Sequence, residues 1–166
     1  FTQIGLLTLT YQLTASVLQP LVGFYTDKHA EPYSLVVGMG STCAGLLLLS
    51  QAHTFPLLLL AASMVGLGSS IFHPESSRVA RMASGGRHGL AQSIFQVGGN
   101  AGTATGPLLA AAIIFPFGQG SLAWFSLAAL LAMFILWKVG NWYRQQHRSQ
   151  KMNIAPKASG LSRTRI

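Results

Sequence analysis

Residues 71–93 read IFHPESSRVARMASGGRHGLAQS and separate two long apolar stretches. The segment carries a glutamate at position 75 and arginines at positions 78, 81 and 87, whereas residues 32–70 and 94–137 hold no Asp, Glu, Lys or Arg. Because a bilayer core admits few charges, a charged segment between two runs of about 20 apolar residues predicts that one membrane helix ends here and the next begins.

The composition places the chain among integral membrane proteins. Of its 166 residues, 50% are hydrophobic and only 8% are charged, against about 25% charged residues in a soluble domain. The net charge of +8 does not indicate a nucleic-acid partner, because the basic residues lie between apolar segments or in the tail, without interleaved aromatics. Cys43 is the single cysteine, which excludes a disulfide framework and a cysteine metal site.

Five segments are long enough to cross a hydrocarbon core of about 30 Å as helices. They cover approximately residues 4–25, 33–52, 55–74, 89–115 and 121–143. No alternation with a period of two appears, so we expect an all-α membrane protein rather than a barrel. Residues 1–143 are then the transmembrane domain, and residues 144–166 a flexible basic cytoplasmic tail beside anionic lipid headgroups. Since Phe1 already lies in an apolar run without a basic leader, we expect a fragment.

The connections between these segments differ in charge. TDKHAEP at 26–32, the 71–93 segment and the tail are charged, whereas QAHTF at 51–55 and FPFGQG at 115–120 have no formal charge. On a path that crosses the membrane five times, the eleven Lys and Arg residues therefore fall on one side. Positive residues stay cytoplasmic, which predicts an outside N-terminus and an inside C-terminus.

Two stripes run along the fourth segment. Gly98, Gly102 and Gly106 recur at intervals of four before Pro107, a pattern that favours close helix packing. About 120° around the helix lies a stripe of three amide side chains, Gln92, Gln96 and Asn100.

The first segment carries a similar polar stripe, formed by Thr8, Gln12, Ser16, Gln19 and Gly23. Two such stripes predict a shared aqueous cavity; the alternative is that the amides only join neighbouring helices.

Ionisable residues cluster at the end of the third segment. At membrane depth, His73 and Glu75 would mark a proton or substrate pathway; the alternative is an interfacial ion pair between Glu75 and Arg78, three residues later. Together with His73, the guanidinium groups of Arg78 and Arg81 would suit the binding of a phosphate-like anion. No HExxH, nucleophile–base pair or phosphate-cradling glycine loop indicates an enzyme, and we expect no metal site.

Two motifs resemble the major facilitator superfamily. GFYTDK, from Gly23 to Asp27 and Lys28, is similar to the first half of the signature between the second and third helices of that superfamily. Gly102-xxx-Gly106-Pro107 resembles the fifth-helix motif of its proton-coupled exporters. The resemblance implies that the five segments are helices two to six. It also implies that the glycine at 23 permits close helix approach, and that the aspartate at 27 interacts with a helix terminus and basic groups.

Residues 70–111 are similar to bacterial exporters of phosphonate antibiotics. This resemblance implies proton-driven drug efflux across the bacterial inner membrane, with a small drug and membrane lipids as partners and no cofactor beyond the coupling protons. A first helix and a second half would be missing, so the chain alone is expected to be inactive. The alternatives are an uptake carrier for sugars or organic acids with the same architecture, and a non-transporting membrane adaptor.

Three positions depart from the family pattern. Ala30, Glu31 and Pro32 stand where the loop signature has a second glycine and two basic residues, so the gating latch attributed to them is not expected. Ala62, four residues before Gly66, stands where the fourth-helix motif of exporters has an arginine. Glu75 and His73 therefore become the candidates for the proton step. The fifth-helix motif closes with alanines at 110 and 111 instead of two glycines, which keeps that face small.

Overall fold

The computed structural model describes residues 1–29 and 31–154, and within these ranges the chain is helical, with no strand. The five long helices are α1 (Thr2–Lys28), α2 (Ser34–Gln51), α3 (Phe55–Ala83), α4 (His88–Leu109) and α5 (Leu122–Ile154). A π-helical segment, Ala110–Ile114, and a last turn, Phe115–Phe117, continue α4. The predicted all-α fold is therefore confirmed.

Four of these helices are long and apolar enough to cross a membrane. The stretches that qualify are Ser34–Gln51, Phe55–Ala83, His88–Phe117 and Gln119–Gln146. Helix α1 is not among them, and its sequence includes Gln3, Gln12 and Gln19. Its passage through the membrane stays a prediction.

Two helices are longer than the apolar runs that predicted them. Helix α3 continues past Pro74 to Ala83, and its 29 residues span about 43 Å at helical rise. Proline removes one backbone hydrogen bond, which membrane helices tolerate, so Pro74 does not end the helix. Helix α5 runs through to Ile154, so the flexible tail expected from residue 144 is helical up to that point; residues 155–166 lie outside the described range.

Helix α3 packs against α1 and α2 through two glycines. A Cβ at Gly66 would lie 2.8 Å from the carbonyl oxygen of Tyr11 in α1. A Cβ at Gly68 would lie 2.5 Å from the carbonyl oxygen of Gly38 in α2. Both contacts involve backbone atoms that cannot rotate away, so α1 and α2 approach α3 closely only because these positions carry no side chain.

Helices α2 and α5 are joined at both ends. At one end, the Tyr33 hydroxyl donates to Asn141 Oδ1 at 2.8 Å. At the other end, Gly118 has φ of 76° and precedes Gln119. The Gln119 amide donates to the carbonyl oxygens of Leu49 and Ala52 at 2.6 and 2.8 Å. The side chain of Gln119 thereby satisfies carbonyls that the end of α2 leaves without helical partners.

Helix α4 lies at the side of this bundle, and none of its residues is buried. The turn before it contains Gly85 and Gly86 with φ of 57° and 92°. A Cβ at Gly98, Gly102 or Gly106 would meet nothing within 4 Å. Within the described residues no helix packs against this glycine face, so the tight packing expected there stays a prediction.

Candidate functional site

The guanidinium of Arg78 joins α3 to the C-terminal end of α1. Its Nη1 donates to the carbonyl oxygen of Thr26, and its Nη2 donates to Thr26 Oγ1 and to Asp27 Oδ1. The carbonyl of Thr26 belongs to the last turn of α1, where helical partners are missing. Arg78 thus satisfies a helix terminus and pairs with a carboxylate at the same time.

Glu75 lies one turn before Arg78 on α3 and is only 2% exposed. Its Oε2 accepts a hydrogen bond from the hydroxyl of Ser34 in α2 at 2.8 Å. Its Oε1 lies 3.2 Å from Arg78 Nη1 but accepts no hydrogen bond. The ion pair between Glu75 and Arg78, which was one of the two alternatives, is therefore present. The carboxylate of Glu75 is nevertheless buried between helices. A buried carboxylate is costly, and such groups tend to have functional roles in membrane proteins.

Two cavities are lined by residues of this network. The α1–α2 cavity, of about 450 Å³, is lined by residues that include Thr26, Glu31, Tyr33 and Ser34. The α1–α3 cleft, of about 270 Å³, is lined by Gly23, Asp27, Pro74, Ser77, Arg78 and Arg81. Ser34, which donates to Glu75, therefore lines the first cavity, and Arg78 lines the polar cleft that contains Asp27.

The loop-signature residues lie at the end of α1, beside this network. A Cβ at Gly23 would lie 4.0 Å from the Pro74 side chain, an ordinary contact rather than a forced one. Asp27 is exposed and pairs with Arg78. Lys28 points away from this pair, with its Nζ 4.0 Å from the centre of the Phe24 ring.

The remaining predicted ionisable residues lie outside the hydrogen-bonded network. His73 is exposed, and its ring contacts the edge of Phe72. Arg81 is exposed and lines the cleft, and within residues 1–29 and 31–154 its side chain forms no ion pair. The two arginines thus differ. The guanidinium of Arg78 already donates to α1, whereas the guanidinium of Arg81 is exposed and could bind an anion.

The structure does not bring the amide stripe together with the buried carboxylate. Gln92 is half-buried and accepts a hydrogen bond from the Ser77 hydroxyl at 3.0 Å, which places it beside the cleft. Gln12, Gln96 and Asn100 are exposed and line neither of the two cavities described above. The aqueous cavity expected between the stripes stays a prediction.

Sequence reasoning missed the hydroxyl groups of this site. Ser34 is 41 positions from Glu75 along the chain, and Thr26 is 52 positions from Arg78. Serine and threonine are frequent in membrane helices, and their hydroxyls mostly bond the preceding turn. No pattern in the sequence distinguishes these two hydroxyls from the others.

Comparison with known proteins gives a consistent family. The sequence matches the Major Facilitator Superfamily over residues 1–163. It is 64% identical over 151 residues to the fosmidomycin resistance protein of Escherichia coli (strain K12), covering 91% of this chain and 37% of that protein. It is 50% identical over 143 residues to an uncharacterised MFS-type transporter of Bacillus subtilis (strain 168), covering 86% of this chain and 35% of the relative. The chain thus spans about a third of the length of each of these relatives. No solved structure matches.

Proposed function

Because the chain belongs to the major facilitator superfamily, we propose that it forms part of a proton-coupled exporter that removes fosmidomycin or a related phosphonate from the bacterial cytoplasm. It is a multi-pass membrane protein with apolar helices. The observation that carries the proposal is the 64% identity, over 91% of the chain, to a protein named for fosmidomycin resistance. Protons are the coupling ion, no other cofactor takes part, and the activity is transport rather than catalysis.

The α1–α3 cleft is the proposed first contact for the drug on the cytoplasmic side. Arg81 offers a guanidinium with no described ion-pair partner, and such a group binds phosphonate-like oxygens in a bidentate manner. Arg78 already donates to Thr26 and Asp27, so it holds the cleft in place. The exposed imidazole of His73 is a further candidate for the pathway.

The chain is proposed to supply one wall of the pathway and to be inactive by itself. Superfamily transporters alternate access between two six-helix halves around a central site. Five helices cannot enclose such a site, and the described part of α4 has no buried residue. The uncovered face of α4 is where we expect the other helices of a complete transporter to pack.

A chimera tests the function directly. The segment of the E. coli fosmidomycin resistance protein that this chain matches is replaced by the chain, and the chimera is expressed in a drug-sensitive strain. We expect tolerance to fosmidomycin but not to unrelated antibiotics, and no tolerance from the chain alone. A chimera that inserts in the membrane and gives no tolerance would overturn the proposal, and an uptake phenotype for a sugar or organic acid would favour the carrier alternative.

Two matched substitutions in the chimera test the cleft. Arg81→Gln is expected to reduce tolerance, because the drug loses its first cationic partner. Arg87→Gln is the control, since Arg87 is also exposed near the same turn but does not line the cleft. Equal tolerance in the two variants would remove Arg81 from the pathway.

Cysteine scanning tests the amide stripe. Gln92, Gln96 and Asn100 are replaced by cysteine one at a time in the chimera and treated with a membrane-impermeant thiol reagent, after Cys43 has been replaced by alanine. Labelling at Gln96 or Asn100 is expected if the stripe borders an aqueous pathway. If none of the three cysteines is labelled, the result would favour a non-transporting adaptor whose amides only join helices.

A further inference from the structure

The Glu75 carboxylate is separated from the α1–α2 cavity by a single hydrogen bond. Ser34 lines that cavity and donates to Glu75 Oε2 at 2.8 Å. Thr26 lines the same cavity and accepts from Arg78 Nη2 at 3.1 Å. A hydroxyl that can both donate and accept therefore connects an open cavity to a carboxylate that is 2% exposed.

The charges around Glu75 do not balance when all of them are ionised. One guanidinium, Arg78, faces two carboxylates, Asp27 and Glu75, so the cluster carries one excess negative charge. The hydrogen bonds of Arg78 go to α1, and Glu75 Oε1 accepts none. One added proton would remove this excess negative charge.

The other charged groups near this site do not supply the missing positive charge. Arg81 lines the α1–α3 cleft and forms no ion pair with Asp27 or Glu75. Glu31 lines the α1–α2 cavity and adds negative charge there. His73 is exposed on the same helix, and Lys28 lies over the Phe24 ring.

We propose that Glu75 is a reversible proton-binding site and that the proton reaches it from the α1–α2 cavity through the Ser34 hydroxyl. Ser34 passes its hydroxyl proton to Glu75 Oε2 while its oxygen takes a proton from a hydronium ion in the cavity, which becomes water. One O–H bond breaks and one forms at Ser34, and the carboxylic acid then donates back to Ser34 Oγ. Oε1 stays opposite Arg78, which keeps Asp27 as its charged partner. This assignment rests on the proposed proton coupling and selects Glu75 over His73 as the carrier.

Infrared difference spectroscopy tests the site without any transport assay. The 166-residue chain is placed in lipid nanodiscs and acidified. We expect a carbonyl band of a protonated carboxylic acid that is absent in Glu75→Gln, displaced in Glu75→Asp, and unchanged in Glu31→Gln. Glu75→Asp keeps an acid in the same network, so it provides the test if Glu75→Gln fails to fold. An identical band in Glu75→Gln or Glu75→Asp, or no band at any pH at which the chain stays helical, would overturn the assignment.

Solvent exchange tests the route. When H₂O is replaced by D₂O, the Glu75 band should shift promptly in the wild-type chain, because Ser34 passes the proton to and from the cavity. In Ser34→Ala, which removes the hydroxyl and adds no atoms, the shift should be slower by at least tenfold. Equal exchange in the two proteins would show that the proton does not pass through Ser34.

The two proposals fail independently. A chimera that gives no drug tolerance refutes export of the phosphonate but leaves the infrared band of Glu75 in place. A missing band in a chain whose chimera does give tolerance refutes Glu75 as the carrier and leaves export standing.

Discussion

Replacing Gly68 by alanine should push α2 and α3 apart. The new Cβ would lie 2.5 Å from the carbonyl oxygen of Gly38 and 3.0 Å from the backbone nitrogen of Thr42. A carbon–oxygen contact is comfortable only from about 3.3 Å, so the helices must separate by about 0.8 Å at this level. The Ser34–Glu75 hydrogen bond, one turn away along α2 and two turns away along α3, joins the same two helices at 2.8 Å, and the same displacement would stretch it beyond hydrogen-bonding range.

The energetic cost follows from two opposing terms. Overpacking at a close contact costs about 1–3 kcal/mol, whereas replacing glycine by alanine inside a helix stabilises it by about 1 kcal/mol. Gly98→Ala has only the second term, because a Cβ there meets nothing within 4 Å. The difference in the free energy of unfolding between the two variants therefore isolates the clash, at about 1–3 kcal/mol.

The assay is reversible unfolding of the chain in mixed micelles, with helix content followed by circular dichroism as the denaturing detergent is increased. We expect Gly98→Ala to be as stable as the wild-type chain or more stable, and Gly68→Ala to be clearly less stable than Gly98→Ala. If Gly68→Ala unfolds at the same detergent fraction as Gly98→Ala, then α2 and α3 are not in close backbone contact and the packing described for α3 is refuted.

Three further substitutions test other contacts. Arg78→Lys should lower the free energy of unfolding by about 2–3 kcal/mol, since one amine cannot replace a guanidinium that donates to several groups at once. Arg81→Lys, at an exposed position, should have almost no effect on chain stability. Equal losses in the two variants would contradict the hydrogen bonds described for Arg78. Gln119→Ala should lower the free energy of unfolding by about 1 kcal/mol, because two carbonyls at the end of α2 lose their donor. Gln145→Ala, at an exposed site on α5, should leave it unchanged, and the same unfolding assay compares the two variants. Gly102→Leu should leave the isolated chain as stable as the wild-type chain or more stable, because its face is uncovered and leucine favours a helix more than glycine does, but it should abolish drug tolerance in the chimera. Destabilisation of the isolated chain would show that a helix of this chain does cover that face.

The number and type of the helices could be predicted from the sequence because the membrane imposes a strong rule. Backbone groups in lipid must bond within their own segment, so long apolar runs become helices whatever their neighbours are. The ends of α3 and α5 were less predictable. The end of an apolar run marks the limit of the lipid rather than the limit of the helix, and both helices extend into the charged sequence that follows.

The pairings within the site could not be read from the sequence. The resemblance implied that Asp27 interacts with basic groups, but the choice of Arg78 over Arg81 depends on how α1 crosses α3. The burial of Glu75 depends on the approach of α2, which Gly38 and Gly68 allow. The partner of the glycine face of α4 could not be read from the sequence either, because a periodic pattern describes one helix and does not say whether another element of the same chain lies against it.

The central claim is that the Glu75–Arg78 network faces the cytoplasm, at the inner end of a bundle that crosses the membrane repeatedly. The most direct test inserts a reporter enzyme that is active only outside the cytoplasm into three connections, at residues 53–54, 85–86 and 118–119. We predict activity at the first and third positions and none at the second, where Gly85 and Gly86 join α3 to α4. Activity at the second position, or none at either of the others, would contradict the topology and with it the cytoplasmic site.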